Sequence, residues 1–263
     1  MSNFLQYLEV AKNAVKSVAD QFQEQDRKLH DSVTAVDFGG KETKIVADTA
    51  LENKLINALI NTGISIFSEE SGLIKQGSDA SLLWVLDPLD GTVNYLRRVG
   101  PSAISLALCN NTKPIFGIVY SLDTNQMSWG GQQFGSWTGT DKLTVSKSSL
   151  ASQSILCSGF PARLNINNPD QISAYMNLFQ QFAKIRMLGS AASSLLMVAQ
   201  GKVDAYYESE IMFWDIAAGM ALVDGAGGNL ALVFRDLTSP CRLTATNSKL
   251  IIQKDSFQNI EQG

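Results

Sequence analysis

Two carboxylates stand three residues apart directly after a short apolar segment, in the sequence DPLDGT at residues 87–92. The apolar residues 82–86 predict a buried strand. We expect that strand to end at Asp87, because Pro88 cannot continue a central ladder and the following Asp-Gly pair favours a turn. The two carboxylates and the Thr92 hydroxyl would then lie together at the mouth of one strand. Taken alone, such a segment is also typical of an ordinary surface turn.

Two further acidic segments flank this one in the chain. Glu69 and Glu70 follow the apolar residues 64–67, and Asp215 follows Trp214 at the start of an Ala/Gly-rich helical segment. If these segments converge, four or five carboxylates share one site, and they cannot all ionise unless positive charge lies between them. Hard oxygen ligands without thiolates or imidazoles suit Mg²⁺ or Mn²⁺.

The histidine and cysteine content excludes other kinds of site. His30 is the single histidine, so the chain cannot supply two imidazoles to a metal, and no G-x-S-x-G motif supports a Ser-His-Asp triad. Cys109, Cys157 and Cys241 are widely spaced without a CxxC pair, which predicts buried free thiols in a reducing compartment. Catalysis would therefore use carboxylates, hydroxyls, metals or lysine.

The composition bounds the class of protein. The chain has 263 residues, 45% of them hydrophobic, enough for one large domain or two intimate ones. The formal net charge of −4 disfavours direct contact with nucleic acid, whose partners are usually basic. The sequence has neither a signal-peptide pattern nor an apolar stretch as long as a membrane span, so we expect a cytoplasmic protein with no membrane contact.

Periodicity divides the chain into two halves. Residues 1–145 predict an amphipathic helix over 3–24, a loop over 26–43, a helix capped by Asp48 or Thr49 and stopped by Gly63, and then an antiparallel meander. Residues 146–263 alternate strands with helices, ending in a helix that begins at 248–253, which is typical of an α/β half with helices on both faces of a sheet. We place the boundary in the Ser/Lys-rich segment near residue 145.

Three separated motifs together resemble one known family. The sequence DPLDGT, preceded by SEES and followed by WDIAAG and DGAGG, is similar to the bacterial members of the inositol monophosphatase family of Mg²⁺-dependent, lithium-sensitive phosphatases. The resemblance implies a layered αβαβα sandwich, which agrees with an N-terminal antiparallel sheet half and a C-terminal α/β half. It also implies a homodimer and a small phosphate monoester as substrate.

The resemblance assigns roles to the acidic residues. It implies that two or three Mg²⁺ ions, with Mn²⁺ as an alternative, are held by side chains and one backbone carbonyl, namely Glu69, Asp87, the Leu89 carbonyl, Asp90 and Asp215. Glu69, Thr92 and Asp90 would form the catalytic group. A metal-activated water, oriented by Thr92 and deprotonated by Glu69, would attack phosphorus in line, without a covalent phosphoenzyme.

Substrate contacts are also expected at several backbone and side-chain positions. A glycine lets the backbone approach phosphate closely, and free amides at a helix start suit an anion or a polar substrate edge. The resemblance implies a substrate-binding set made of Gly91, Thr92, Gly189, Ser190, Ala191, Glu208 and Asp215. Glu208 could instead be a surface charge at a strand end, and Asp215 could simply cap a helix.

Departures from the family pattern leave the substrate open. Residues 93–101 lack the family's histidine, and this loop, with Arg97 and Arg98, borders either substrate or a subunit contact. Lys41 and Lys44 either approach phosphate or are solvated. Inositol 1-phosphate is the first choice, with 3′-phosphoadenosine 5′-phosphate and fructose 1,6-bisphosphate as alternatives. A protein that assists transcription complexes on the same fold is the alternative from a different class.

Overall fold

A computed structural model describes residues 2–29, 46–77, 81–160 and 167–252, so the predictions for His30, Lys41 and Lys44 lie outside the described residues. Apart from two 3₁₀ turns, the described elements follow in chain order as two helices, three strands, a short helix, six strands, a helix, a strand, a helix, a strand, a helix and two strands. Two mixed sheets and three groups of helices form a layered αβαβα sandwich. The predicted fold class is therefore confirmed.

Helices α1, Ser2–Leu29, and α2, Val46–Leu59, form the first layer. The buried side chains of α1 recur at steps of three and four residues from Leu8 to Phe22 and pack with α2 on one face of the larger sheet. Helix α1 continues beyond residue 24 into part of the predicted loop. A 3₁₀ turn, Ile60–Thr62, follows α2, and Gly63 ends it at a φ of 70°.

The larger sheet has eight strands in the order β2-β1-β3-β4-β5-β6-β7-β8. Its pairs are antiparallel except for β1 and β3, which run parallel. The strands are β1 Ser65–Ser68, β2 Gly72–Ile74, β3 Leu82–Asp90, β4 Ala103–Asn110, β5 Lys113–Ser121, β6 Gln126–Gly131, β7 Gly135–Thr138 and β8 Asp141–Lys142. The predicted meander from β4 to β7 is present.

Strand β3 does not end at Asp87, so that prediction is wrong. The strand runs on to Asp90, and its register against β4 shifts between Asp87 and Asp90. Such an irregularity leaves one residue unpaired, which is where a strand tolerates a proline, here Pro88. Both carboxylates therefore belong to the last four residues of a buried strand, and Asp87 is 1% exposed.

Helices α5, Ala191–Ala199, and α6, Phe213–Gly225, form the middle layer between the sheets. One apolar cluster joins them to both sheets, with Val85 and Val119 from the larger sheet and Tyr206 and Leu243 from the smaller. Where α6 crosses β5, a Cβ at Gly117 would lie 2.3 Å from the Ala218 carbonyl oxygen, so only glycine allows this approach.

The smaller sheet has five strands in the order β10-β9-β11-β13-β12. They are β9 Ile155–Ser158, β10 Lys184–Arg186, β11 Ala205–Ile211, β12 Asn229–Val233 and β13 Cys241–Thr246. Helix α4, Pro169–Gln180, covers its outer face, where Leu178 and Tyr207 pack together. The prediction of a helix that begins at 248–253 is wrong for the described residues 248–252, where Ile251 forms a parallel bridge with Leu150. The division of the chain near residue 145 stays a prediction.

Three short elements escaped the sequence analysis: strands β2 and β8 and helix α3, Thr92–Arg97. Each is too short to show a period. Cys109, Cys157 and Cys241 are buried and free, as predicted. Within the described ranges, none of the helices combines the length and apolar character that crossing a bilayer requires.

Strand β11 contains a residue in a strained backbone conformation. The register against β13 shifts between Ser209 and Ile211, and the exposed Glu210 between them has a φ of 61°. A non-glycine residue pays about 1–2 kcal/mol in this left-handed region. We expect Glu210→Gly to raise the free energy of unfolding by about 0.5–1 kcal/mol, measured as a higher urea midpoint.

The matched control for this prediction is Glu210→Ala, which removes the same carboxylate and keeps the strain. An alanine variant as stable as the glycine variant would show that the carboxylate, rather than the backbone, is unfavourable here.

Candidate active site

One cavity of about 300 Å³ collects the residues that the sequence analysis singled out. It opens where β3 ends against the start of α5, and β11 and α6 close its other side. Its walls include every predicted metal and substrate residue, namely Glu69, Asp87, Leu89, Asp90, Gly91, Thr92, Gly189, Ser190, Ala191, Glu208 and Asp215. A larger cavity of about 590 Å³ lies beside α3 and α5, and Asp123 is the single carboxylate among its described lining residues.

The parallel pairing of β1 with β3 brings the first two carboxylates together. Ser68 is in register with Leu86, and the next amide, that of Glu69, donates to the Leu86 carbonyl at 3.2 Å. The side chains of Glu69 and Asp87 then share a hydrogen bond. Two carboxylates this close repel each other when both are ionised, so the charge of Glu69 contributes to raising the pKa of Asp87.

The turn that carries Glu69 is fixed from behind by α2. Glu52 is 2% exposed, and its carboxylate accepts from the Ser71 amide at 2.9 Å and from the Ser71 hydroxyl at 2.7 Å. The sequence analysis did not identify this residue. Its position four residues after Asp48 on one helix face is the signal that could have indicated it.

Asp90 is tied to the start of α5. Its carboxylate accepts from the Ser190 hydroxyl, from the Ala191 amide at 3.2 Å and from the Ala192 amide at 2.8 Å. The sequence analysis expected the amides at this helix start to be free for substrate. The structure corrects that expectation, because Asp90 already occupies the positive end of the helix.

Thr92 contacts a carboxylate that the sequence indicated only as a possible helix cap. Its hydroxyl donates to the Leu89 carbonyl at 3.0 Å and lies 3.5 Å from a carboxylate oxygen of Asp48. Asp48 is 3% exposed and lies in the first turn of α2. The backbone before Thr92 turns at Gly91, whose φ is 84° and where a Cβ would lie 2.8 Å from the Pro101 carbonyl oxygen.

Asp215 belongs to the first turn of α6. Its carboxylate accepts from the Met212 amide at 3.1 Å, so the capping role is present. The same side chain lines the cavity, so capping and a site role coexist. The preceding Trp214 is partly buried and packs on Phe67 of the apolar core, with ring centroids 5.5 Å apart.

Glu208 lies inside the cavity, so the alternative of a surface charge at a strand end is wrong. Its carboxylate accepts from the Tyr206 hydroxyl at 2.7 Å and from the Gly159 amide. The exposed Arg98 faces the larger cavity instead, and neither Arg97 nor Arg98 lines the acidic one.

Comparison with known proteins agrees with this geometry. The model of the inositol monophosphatase family matches residues 3–259. The chain belongs to the inositol monophosphatase family. A protein of Aquifex aeolicus named fructose-1,6-bisphosphatase/inositol-1-monophosphatase is 29% identical over 235 residues, which are 89% of this chain and 88% of that one. A Nus factor SuhB of Xylella fastidiosa is 34% identical over 214 residues, 78% of this chain and 76% of the relative.

Solved structures show the same relationship. The inositol monophosphatase of Anabaena (Nostoc) sp. PCC 7120 superposes with a TM-score of 0.79 at 28% identity, covering 99% of this chain and 97% of that one. Membership of the inositol monophosphatase family makes this chain a phosphatase of the phosphoric monoester class, and the family generally uses Mg²⁺.

The carboxylates of this family member are destabilised in their charged form. Burial, followed by the charges of neighbouring carboxylates, raises the pKa of Asp87 and of Asp215 well above its usual range. Burial raises the pKa of Glu69 to about 7, although the hydrogen bond with Asp87 lowers it. Burial also raises the pKa of Asp90 to about 6, against the lowering effect of the donors on α5.

The donor set fits the chemistry of Mg²⁺. Hard carboxylate and carbonyl oxygens surround one cavity, and their mutual repulsion is the interaction that a divalent cation would remove. Within the described part of the chain, no three Asp, Glu, His or Cys side chains could hold an ion as they stand. Protein donors on α5 and at Met212 use part of the hydrogen-bonding capacity of Asp90 and Asp215, and each carboxylate keeps lone pairs that can bind a cation.

Proposed function

We propose that this protein is a Mg²⁺-dependent phosphomonoesterase that hydrolyses a small polyol phosphate, with inositol 1-phosphate as the first choice. The observation that supports the proposal is one cavity that gathers Glu69, Asp87, Asp90 and Asp215, with Thr92 beside them and Glu208 also in its wall. Acidic side chains with raised pKa values are typical of functional sites. The described lining residues include no cationic side chain that would balance the charge of these acids.

The acidic side chains and the Leu89 carbonyl would hold the cations. Bound Mg²⁺ would act as a Lewis acid on the phosphoryl oxygens and would lower the pKa of a bound water molecule toward neutrality. Asp90 and Asp215 are each anchored by backbone amides at a helix start, which fixes them in the cavity. Rigid positioning of this kind favours catalysis, because the charged groups need no reorganisation during the reaction.

The chain's own residues would position the attacking water and accept its proton. The Thr92 hydroxyl directs its hydrogen to the Leu89 carbonyl, which leaves its oxygen lone pairs free to accept from a water. Glu69 lines the same cavity, so its carboxylate is placed to accept a proton from that water.

The other wall would bind the alcohol half of the substrate. Glu208 can accept hydrogen bonds from substrate hydroxyls, and the Ser190 and Gly189 segment borders the same space. A polyol offers several hydroxyl donors, whereas a second phosphate needs cationic partners. The carboxylate and hydroxyl groups of this wall suit such donors, so a polyol monophosphate stays the first choice, with fructose 1,6-bisphosphate and 3′-phosphoadenosine 5′-phosphate as alternatives.

A panel of monoesters tests this proposal. We expect release of inorganic phosphate from inositol 1-phosphate with Mg²⁺ and none after chelation, with lower kcat/KM for the two bisphosphates. Lithium should inhibit the reaction. Equal rates with and without Mg²⁺ would contradict the proposal, and a preference for a bisphosphate would contradict its substrate. A homodimer and a cytoplasmic location stay predictions.

A role in transcription complexes is the second candidate, favoured by the relatives named Nus factor SuhB. The test is a pull-down from lysate with the native protein and an Asp90→Asn variant. Capture of transcription proteins by both would support a role that is independent of catalysis, and capture by neither would argue against it.

A further inference from the structure

A tyrosine hydroxyl lies directly behind the carboxylate that faces the alcohol half of the cavity. Tyr206 precedes Glu208 by two positions on β11, so both side chains project from the same face of the strand. Tyr206 is 1% exposed and does not line the cavity, and its hydroxyl donates to Oε2 of Glu208 at 2.7 Å. Among the described residues, Glu208 is thus the link between Tyr206 and the cavity.

The backbone of Gly159 restrains the same carboxylate from another direction. The Gly159 amide donates to the Glu208 carboxylate, and a Cβ on Gly159 would lie only 1.9 Å from Oε1. A glutamate side chain has three rotatable bonds, so without such contacts it would sample several orientations. One phenol and one amide thus select a single orientation of the carboxylate, and the absence of a side chain at residue 159 makes room for it.

We propose that Tyr206 is a positioning residue for substrate selection, which holds Glu208 oriented to accept a hydroxyl from the alcohol half of the phosphate monoester. The inference rests on the proposed function, because it assigns Glu208 to the alcohol. It extends that function by naming a residue outside the cavity that determines the preference for polyol esters over esters without hydroxyls.

The hydrogen bond has a second effect, on the charge of Glu208. Burial raises the pKa of Glu208 to about 7, the Tyr206 hydrogen bond lowers it, and the charge of Asp90 raises it. Removal of the phenol hydroxyl would raise this pKa further. A larger fraction of Glu208 would then be protonated near neutral pH, so the acidic limb of the profile of kcat/KM for a polyol ester should move to higher pH.

The experiment compares two substrates in the Mg²⁺-loaded enzyme. For Tyr206→Phe we expect KM for inositol 1-phosphate to rise about tenfold, the loss typical of a hydrogen bond to a charged group. The variant should show little change in kcat, and no change with 4-nitrophenyl phosphate, whose alcohol half carries no hydroxyl. A fold defect would instead lower both activities together.

The chain offers a matched control in the next residue. Tyr207 is 0% exposed and points to the opposite face of β11, where its ring centroid lies 6.0 Å from that of Tyr175. Tyr207→Phe removes the same atom from the same strand, and we expect it to change neither KM nor the pH profile. An equal loss of polyol preference in Tyr207→Phe would overturn the inference.

Two further variants keep the test decisive. In a Glu208→Gln background Tyr206→Phe should have no additional effect on selection, because the residue acts through Glu208. If Tyr206→Phe does not fold, Gly159→Ala displaces the same carboxylate from its other side and should give the same selective rise in KM. A polyol preference that survives these variants refutes this inference alone, whereas a wild-type enzyme that hydrolyses no monoester refutes the proposed function.

Discussion

Replacing Asp90 with asparagine is expected to lower kcat by about 10³-fold or more, because the loss of one cation-binding carboxylate removes several kcal/mol of transition-state stabilisation. The fold should survive. With its oxygen in the Oδ2 position, an asparagine still accepts from the Ala192 amide and the Ser190 hydroxyl, and it loses only the longer bond from the Ala191 amide at 3.2 Å. Phosphate release with saturating Mg²⁺ measures the first effect, and circular dichroism checks the second.

Asp204 provides the matched control for this substitution. It is 9% exposed, and its carboxylate accepts from the Ile155 amide at 2.7 Å and from the Ser146 hydroxyl, a donor set like that of Asp90. Asp204 does not line the acidic cavity. Asp204→Asn should therefore cost stability while the folded protein keeps its turnover. Near-normal hydrolysis by Asp90→Asn would refute the assignment of the site.

The metal-free protein is expected to lose stability as the pH rises from about 4 to 8, and Mg²⁺ should reverse this trend. The site carboxyl groups have pKa values raised above those of unfolded chains, so the folded state binds more protons in this range. The slope of the free energy of unfolding against pH is proportional to the number of protons bound by the unfolded state minus the number bound by the folded state. This difference is negative here, so the free energy of unfolding falls as the pH rises. The pKa of Glu69, about 7, sets the upper part of the range.

Thermal unfolding with a chelator and with Mg²⁺, at pH values from 5 to 8, measures this dependence. Mg²⁺ at about 100 times its dissociation constant at pH 7 should add about 2.7 kcal/mol, and the same concentration should add more at higher pH, where the ionised carboxylates bind it more tightly. In Asp87→Asn the metal-free protein should lose less stability over the same range, because one repelling charge is gone. A metal-free stability that rises with pH would contradict the raised pKa values.

The residues that line the acidic cavity could be singled out from the sequence because they are concentrated in local motifs. An apolar segment precedes Glu69 and Asp87, and Asp215 lies in the first turn of a helix. The ends of strands and helices lie at the edges of the packed layers, where such residues can meet. The contacts between motifs were not predictable. The Ser190 hydroxyl reaches Asp90 across 100 positions of the chain, and the contact of Thr92 with Asp48 spans 44. Only the packing of layers determines such contacts.

The same limit applies to the fold. Periodicity predicted most of the helices and strands, because one buried face leaves a pattern in the sequence. The parallel placement of β1 beside β3 has no such pattern, since strand order is a property of the sheet. The extension of β3 past Pro88 depends on a register shift against β4, and α3 is too short to carry a period.

The helix layer between the sheets has a consequence for assembly of the catalytic centre. Because α5 and α6 share one apolar cluster with both sheets, neither sheet can bury its inner face without the other. We therefore expect unfolding in a single cooperative transition, with no half-length fragment that retains hydrolytic capacity. Any ligand of the acidic cavity would then protect both sheets and all three helix layers, including α4 on the outer face of the smaller sheet, against proteolysis and hydrogen exchange.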